Sequence, residues 1–117
     1  MDQTDNYGQN AFHLAAMNGH LKFVQYLLSL DVNIDINKED GNNRTALHLA
    51  ADNTHLSVIS FLLSLEGIEV NKKDRYGETP RDRAIKRIRT LGRKEAKVEE
   101  ICRLLKKAEE EGEKRKI

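Results

Sequence analysis

Residues 40–55 read DGNNRTALHLAADNTH. Variants of that string stand at residues 5–20, DNYGQNAFHLAAMNGH, and at residues 74–89, DRYGETPRDRAIKRIR. The starts at Asp5, Asp40 and Asp74 are 35 and 34 residues apart. His13 and His48 fall in register, as do Leu14 and Leu49, Ala15-Ala16 and Ala50-Ala51, and His20 and His55. A period of this length marks a repeat array, in which each copy is one supersecondary unit.

A second pattern follows each copy. Leu21, Val24, Leu27 and Leu28 have the same spacing as Leu56, Ile59, Leu62 and Leu63, and as Val98, Ile101, Leu104 and Leu105. That spacing puts one apolar stripe on a helix. Each unit therefore reads as turn, short helix, turn, longer helix. Asn10, Thr45 and Thr79 stand where an N-cap accepts a first-turn N–H. Pro80 follows at the first helical position, and Asp82 completes a variant capping box. Gly19 separates the first helix pair, and Asn53-Thr54 takes that place in the second. Gly67 suits a left-handed turn after the second long helix. In the loop from Asp31 to Asn37, Asn33 is the residue expected to be left-handed.

These residues resemble the ankyrin-repeat family, whose pattern runs D-x-x-G-x-T-P-L-H-L-A-A-x-x-G-H before an apolar helix and a loop reaching an Asn. The matches are Asp5, Gly8, His13, Leu14, Ala15, Ala16, Gly19, His20 and Asn37; then Asp40, Thr45, Leu47, His48, Leu49, Ala50, Ala51, His55, Gly67 and Asn71; then Asp74, Gly77, Thr79, Pro80 and Ala84. The resemblance implies an all-α solenoid of helix-turn-helix units with short β-turn or hairpin fingers. It gives one domain with repeats at about 5–39, 40–73 and 74–113 and a tail at 114–117. It places His13 and His48 at the starts of inner helices, bonded to Thr45-type groups and neighbouring turn backbone.

The third unit departs from the pattern. Arg81 and Arg83 replace an apolar pair, and the step from Leu63 to Leu105 is 42 residues, so one or both of its helices are extended, with the joint at 90–93. A polar outer face suits a terminal cap. The first unit keeps interior-type residues, Phe23 and Tyr26, at positions matching Val58 and Phe61. It is therefore expected to be the C-terminal part of a longer array, or to meet a partner or a second copy through the first repeat.

Composition narrows the function. No apolar stretch approaches the roughly 18 residues of a membrane helix, and MDQTDNYGQN has neither the basic start nor the apolar run of a secretory signal. A single cysteine suits a reducing compartment, so the expected location is the cytoplasm, with the nucleus second. No nucleotide-binding glycine loop occurs. The histidine pairs 13/20 and 48/55 are seven apart rather than the four of a helical metal pair. No catalytic residue, metal ligand or cofactor is nominated. Cys102 reads as a packed thiol, and Glu109, Glu110 and Glu111 read as a solvated helix end.

Function is expected on the turn tips and inner helices, which in the resembled family line a concave groove. The partner-binding candidates are Asn6, Tyr7, Gln9, Met17 and Asn18; Asn42, Arg44, Asp52 and Asn53; and Arg75, Tyr76, Glu78, Lys86 and Arg87. The partner is another protein, with an acidic or phosphorylated segment over the third unit, where Arg75, Lys86 and Arg87 outnumber Glu78. Net charge is +1, but residues 1–80 sum to −5 and residues 81–117 to +6. The alternative is nucleic acid or an anionic surface on the basic stretch 81–97 (Arg81, Arg83, Lys86, Arg87, Arg89, Arg93, Lys94 and Lys97). That stretch has no aromatic residue for stacking on bases.

Overall fold

The computed structural model describes residues 8–31, 33–91 and 96–115. Six helices are found there: α1 Ala11–Met17, α2 Leu21–Leu30, α3 Ala46–Asp52, α4 Leu56–Leu63, α5 Pro80–Leu91 and α6 Ala96–Arg115. No strand occurs among the described residues. The helices pair as α1–α2, α3–α4 and α5–α6. The pairs stack side by side, with α1, α3 and α5 in one layer and α2, α4 and α6 in the other. Both helices of the last unit are longer than their counterparts. The joint expected at 90–93 falls partly on residues outside the described ones.

The stack depends on close approach of the inner helices. Residues Ala46 to Ala51 are all buried, because α3 has a neighbour on each side and α4 behind it. Ala15, Ala16, Ala46, Ala50, Ala51 and Ala84 are 3% exposed or less. Val24, Leu27, Val58, Ile59, Leu62, Ile101 and Leu105 fill the space between the two layers. Each buried side chain of this size contributes about 1.5–3 kcal/mol of transfer free energy, and most of it is realised between units rather than within one.

Buried histidines tie helix starts to distant turn backbone, within the first unit at His13 and between units at His48. In α1, Asn10 N–H donates to His13 Nδ1 at 3.1 Å, while Asn10 Oδ1 accepts from His13 N–H. His13 Nε2 then lies 2.7 Å from the Lys38 carbonyl. In α3, Thr45 N–H donates to His48 Nδ1 at 3.1 Å, and His48 Nε2 lies 2.9 Å from the Glu78 carbonyl in the next unit. An Nδ1 that accepts leaves the proton on Nε2, which is the donor a carbonyl needs. Each ring is thus held as one neutral tautomer, the structural placement that the family pattern implied. The third cap needs no histidine: Thr79 N–H donates to Asp82 Oδ2, and Thr79 Oγ1 accepts from Asp82 N–H.

The turns between paired helices differ for a physical reason. Gly19 has φ +72°, and a Cβ there would sit 2.6 Å from His55 Nδ1. The His55 ring lies across this glycine and donates through Nε2 to the Met17 carbonyl at 2.9 Å. Thr54 takes the matching place at φ +57°. The residue matching His55 one repeat later is Arg89, so no ring presses on Thr54 and a side chain fits. Asn43, at φ 61°, replaces the turn glycine of the second unit as expected, and Gly67 is left-handed at φ 84°. The backbone angle expected to be left-handed at Asn33 is set by its bond to residue 32, which lies outside the described residues. Its loop carries two side-chain caps, with Asp31 Oδ1 accepting from Asn33 N–H and Asp35 Oδ1 from Asn37 N–H.

Glu109 is not part of a solvated helix end. It accepts from Arg81 Nη1 at 2.9 Å, and its side chain is 16% exposed. Arg81 stands where the earlier units place Phe12 and Leu47, so an ion pair replaces apolar packing where the last unit meets its own long helix.

Two measurements check this account. A left-handed conformation costs a Cβ-bearing residue about 1–2 kcal/mol, and glycine returns about half of that relief as extra unfolded-chain entropy. Thr54→Gly should therefore stabilise the fold by about 0.5–1 kcal/mol, seen as a melting midpoint a few degrees higher, whereas Gly19→Ala should lower it by at least as much. Burial pushes the His48 pKa below its ordinary 6.5, a shift partly opposed by the Glu78 carbonyl and by Asp74. The unfolded chain then binds more protons than the native state just below pH 6.5, so stability falls as pH drops through that region. Between pH 7.5 and 5.5 the wild-type melting midpoint should fall further than that of His48→Gln; equal losses would show that His48 is not the titrating group.

Candidate finger and inner-helix face

The turns that precede the inner helices are built on buried aspartates. Asp40 Oδ1 accepts from the backbone N–H of Asn42 at 2.8 Å and of Arg44 at 2.9 Å. Asp40 Oδ2 accepts from Arg44 Nε and from Gln9 Nε2. Asp74 repeats the pattern with Tyr76, Glu78 and Arg83 Nε. Burial alone raises the pKa of each carboxyl. The Arg44 N–H, the Gln9 amide and the Asn42 N–H outweigh it at Asp40, and the Glu78 and Tyr76 N–H groups with Arg83 outweigh it at Asp74, so both lie below the usual range. A backbone bond closes each finger, Asp40 N–H to Arg44 O and Asp74 N–H to Glu78 O, both at 2.9 Å. The fingers are fastened to each other by Arg75 N–H donating to Asn42 O at 2.9 Å. They are tight turns, not strands.

The nominated residues do not all stand free on this face. Asn6 and Tyr7 lie outside the described residues. Gln9 is a correction: it is 4% exposed and its amide serves Asp40 across the unit boundary, so it is part of the framework. Asn18 is exposed, but its amide donates back to Leu14 O at 2.8 Å. Asn53 does the same to Leu49 O at 2.9 Å, so both close the ends of their own helices. Met17 and Asp52 are half-buried at the C-terminal ends of α1 and α3. Arg44 is drawn onto Asp40. Asn42 Oδ1 accepts from Arg75 Nη1 at 3.4 Å.

The third unit carries the most prominent group. Tyr76 is 68% exposed at the tip of its finger, and the Arg83 guanidinium lies 5.9 Å from its ring centroid. Arg83 in turn holds Asp74 at 3.0 Å. The ring is thus carried by a chain of fixed contacts that reaches the buried base of the finger. Glu78 pairs with Lys86 at 3.2 Å, and these two with Asp82, Ile85 and Arg89 line a hollow of about 420 Å³. Arg87 is half-buried on α5 and makes no ion pair among the described residues. The sequence reading missed Arg83, Ile85 and Arg89 as neighbours of the site. The one signal in the sequence is Arg83 itself, a cation where the repeat has leucine, and that change equally suits a polar cap.

The basic stretch 81–97 is partly neutralised. Arg81 pairs with Glu109, Arg83 with Asp74 and Lys86 with Glu78. Arg89 and Lys97 are exposed, and Arg93 and Lys94 lie outside the described residues. Cys102 is half-buried, and burial, with Glu99 adding and Arg81 opposing, pushes its thiol pKa up. A thiol in that state is protonated at neutral pH and is a poor nucleophile. No helix among the described residues is long and apolar enough to cross a membrane.

The model of the family described as ankyrin repeats (3 copies) matches residues 1–74 and 34–114. No curated protein matches the chain. Three stacked helix pairs, aspartate-based fingers and histidine ties agree with that match, and the chain belongs to the ankyrin-repeat family, whose members are generally protein-binding modules and typically not enzymes.

Proposed function

We propose that the chain is a non-catalytic module that binds a segment of another protein along its fingers and inner helices. In this reading Tyr76 is the anchor, and Arg75 and Arg87 select an acidic or phosphorylated sequence. The observation that carries it is the exposed Tyr76 ring held from beneath by Arg83 and Asp74. Aromatic side chains and arginines dominate the energy of protein interfaces, and an anchor ordered before binding loses little entropy on contact. Arg75 stands beside it in the sequence, and Arg87 is a cation with no ion-pair partner among the described residues. Guanidinium groups take carboxylate or phosphate in a fork geometry. Asn42, Arg44, Asp52, Asn53, Met17 and Asn18 form the rest of the proposed surface; Asn6 and Tyr7, nominated with them, lie outside the described residues. Gln9 is better placed as support.

The alternative of nucleic acid or an anionic surface on residues 81–97 has weaker support, because three of its cations already hold carboxylates. The soluble cytoplasmic setting expected from the single cysteine fits the protein-binding reading equally well.

An array of acidic, phosphorylated, neutral and basic peptides separates these readings. The wild type should retain acidic or phosphorylated peptides, with affinity falling as salt rises. Arg75→Glu/Arg87→Glu should weaken capture by roughly tenfold or more and flatten the salt dependence. Tyr76→Ala should weaken all peptides alike. Unchanged binding by the double reversal would remove the charge selection, and a mobility shift of DNA or RNA near physiological salt would favour the alternative.

A further inference from the structure

Among the described residues, three of the four large hydrophobic side chains that stand exposed lie on one helix: Phe23 at 45%, Tyr26 at 55% and Leu30 at 57%. They fall at i, i+3 and i+7 of α2, and so form a single stripe. The Phe23 and Tyr26 rings already touch, with centroids 6.3 Å apart. One repeat later the same positions are Val58, Phe61 and Leu65. There Val58 is fully buried, and Phe61 and Leu65 pack on the core. The stripe is therefore chemically an interior surface, distinct from Val24 and Leu27, which already face the core on the other side of α2.

We propose that this stripe is where a second copy of the chain docks, with the two α2 helices antiparallel and related by a two-fold axis near Tyr26. Two features select this occupant. The first is the ends of the helix. Lys22 is exposed at its N-terminal end, while Asp31 and the exposed Asp35 lie at its C-terminal end. Antiparallel pairing sets the basic end of one copy over the acidic end of the other, and also opposes the two helix dipoles. Parallel pairing would set like charge on like. The second is the far end of the stack. The apolar face of α6 is already buried, at Val98, Ile101 and Leu105, while Lys97, Glu99, Arg103, Lys106, Lys107 and Glu110 are exposed. Among the described residues the outer surface of α6 meets the stripe with charge rather than with a matching apolar row, so a head-to-tail chain of copies is disfavoured and a closed two-fold pair is favoured.

The stripe offers on the order of 300 Å² of half-exposed side chain per copy, against roughly 800 Å² per partner in a standard stable interface. The pair is therefore weak, of the transient class whose interfaces fall below the standard size. Because α2 belongs to the outer layer, association leaves the finger face open. Two finger faces on one particle would bind a partner with two matching segments far more tightly than one.

Sedimentation equilibrium of the full chain from about 10 µM to 1 mM tests this. The wild type should move from monomer to dimer and stop there. Phe23→Ser/Leu30→Ser should remain a monomer at 1 mM, with helical circular dichroism retained. Lys22→Glu alone and Asp31→Lys/Asp35→Lys alone should each associate several-fold more weakly, and an equimolar mixture of the two should recover association, because each basic end then faces an acidic one. A wild type that stays monomeric at 1 mM overturns the proposal and leaves the stripe to a preceding repeat or an unrelated partner. Growth beyond the dimer, or no recovery in the mixture, overturns the antiparallel geometry. None of these outcomes depends on the finger face binding a peptide.

Discussion

No unit of this chain can bury both flanks of its own helix pair, and the rest of the structure follows from that constraint. The middle unit satisfies it fully: α3 is enclosed by α1, α5 and α4, and its alanines permit the close approach that this enclosure requires. Stability is then a property of neighbours. Each boundary is reinforced by polar ties that act across it, namely His48 to Glu78, His55 to Met17, Gln9 to Asp40 and Arg75 to Asn42. A buried polar group left without a partner costs about 1–3 kcal/mol. These ties hold the register between units, and apolar contacts alone would hold it less firmly.

The two ends of the stack meet the same constraint differently. At the last unit, arginines replace the interior leucines and find carboxylates: Arg81 reaches Glu109 along the lengthened α6, and Arg83 reaches Asp74. The partly exposed Arg81–Glu109 pair contributes little stability, about 0–1 kcal/mol. Both arginines put charged groups at positions where the earlier units carry apolar side chains. On the first unit, Phe23, Tyr26 and Leu30 keep interior chemistry on an open flank. Among the described residues the two flanks therefore differ, charged at α6 and apolar at α2, with the finger face running between.

The same economy shapes the candidate binding face. Most of its polar side chains are engaged within the fold: Arg44 with Asp40, Lys86 with Glu78, and Asn18 and Asn53 with their own helix ends. A finger whose aspartate is saturated with N–H donors presents its tip in one conformation. Tyr76 stands at such a tip, with the Arg83 guanidinium 5.9 Å from its ring centroid.

Much of this was legible in the residues. The 35- and 34-residue steps, the recurring apolar spacing, the caps at Asn10, Thr45 and Thr79 and the left-handed glycines all depend on contacts a few residues apart, where local periodicity and backbone preference decide. The sequence by itself therefore determined the helices, their pairing into units and the divergence of the last unit. Partners distant along the chain were decided only by the tertiary structure. Gln9 looks like a surface position until Asp40, 31 residues away, is brought beside it. Glu109 looks like part of a solvated end until it meets Arg81, 28 residues away. Gly19 and Thr54 look interchangeable until the His55 ring is laid over one and not the other. The reason is physical: a side chain's burial and charge partners depend on the angle and distance between units, and no local pattern encodes those.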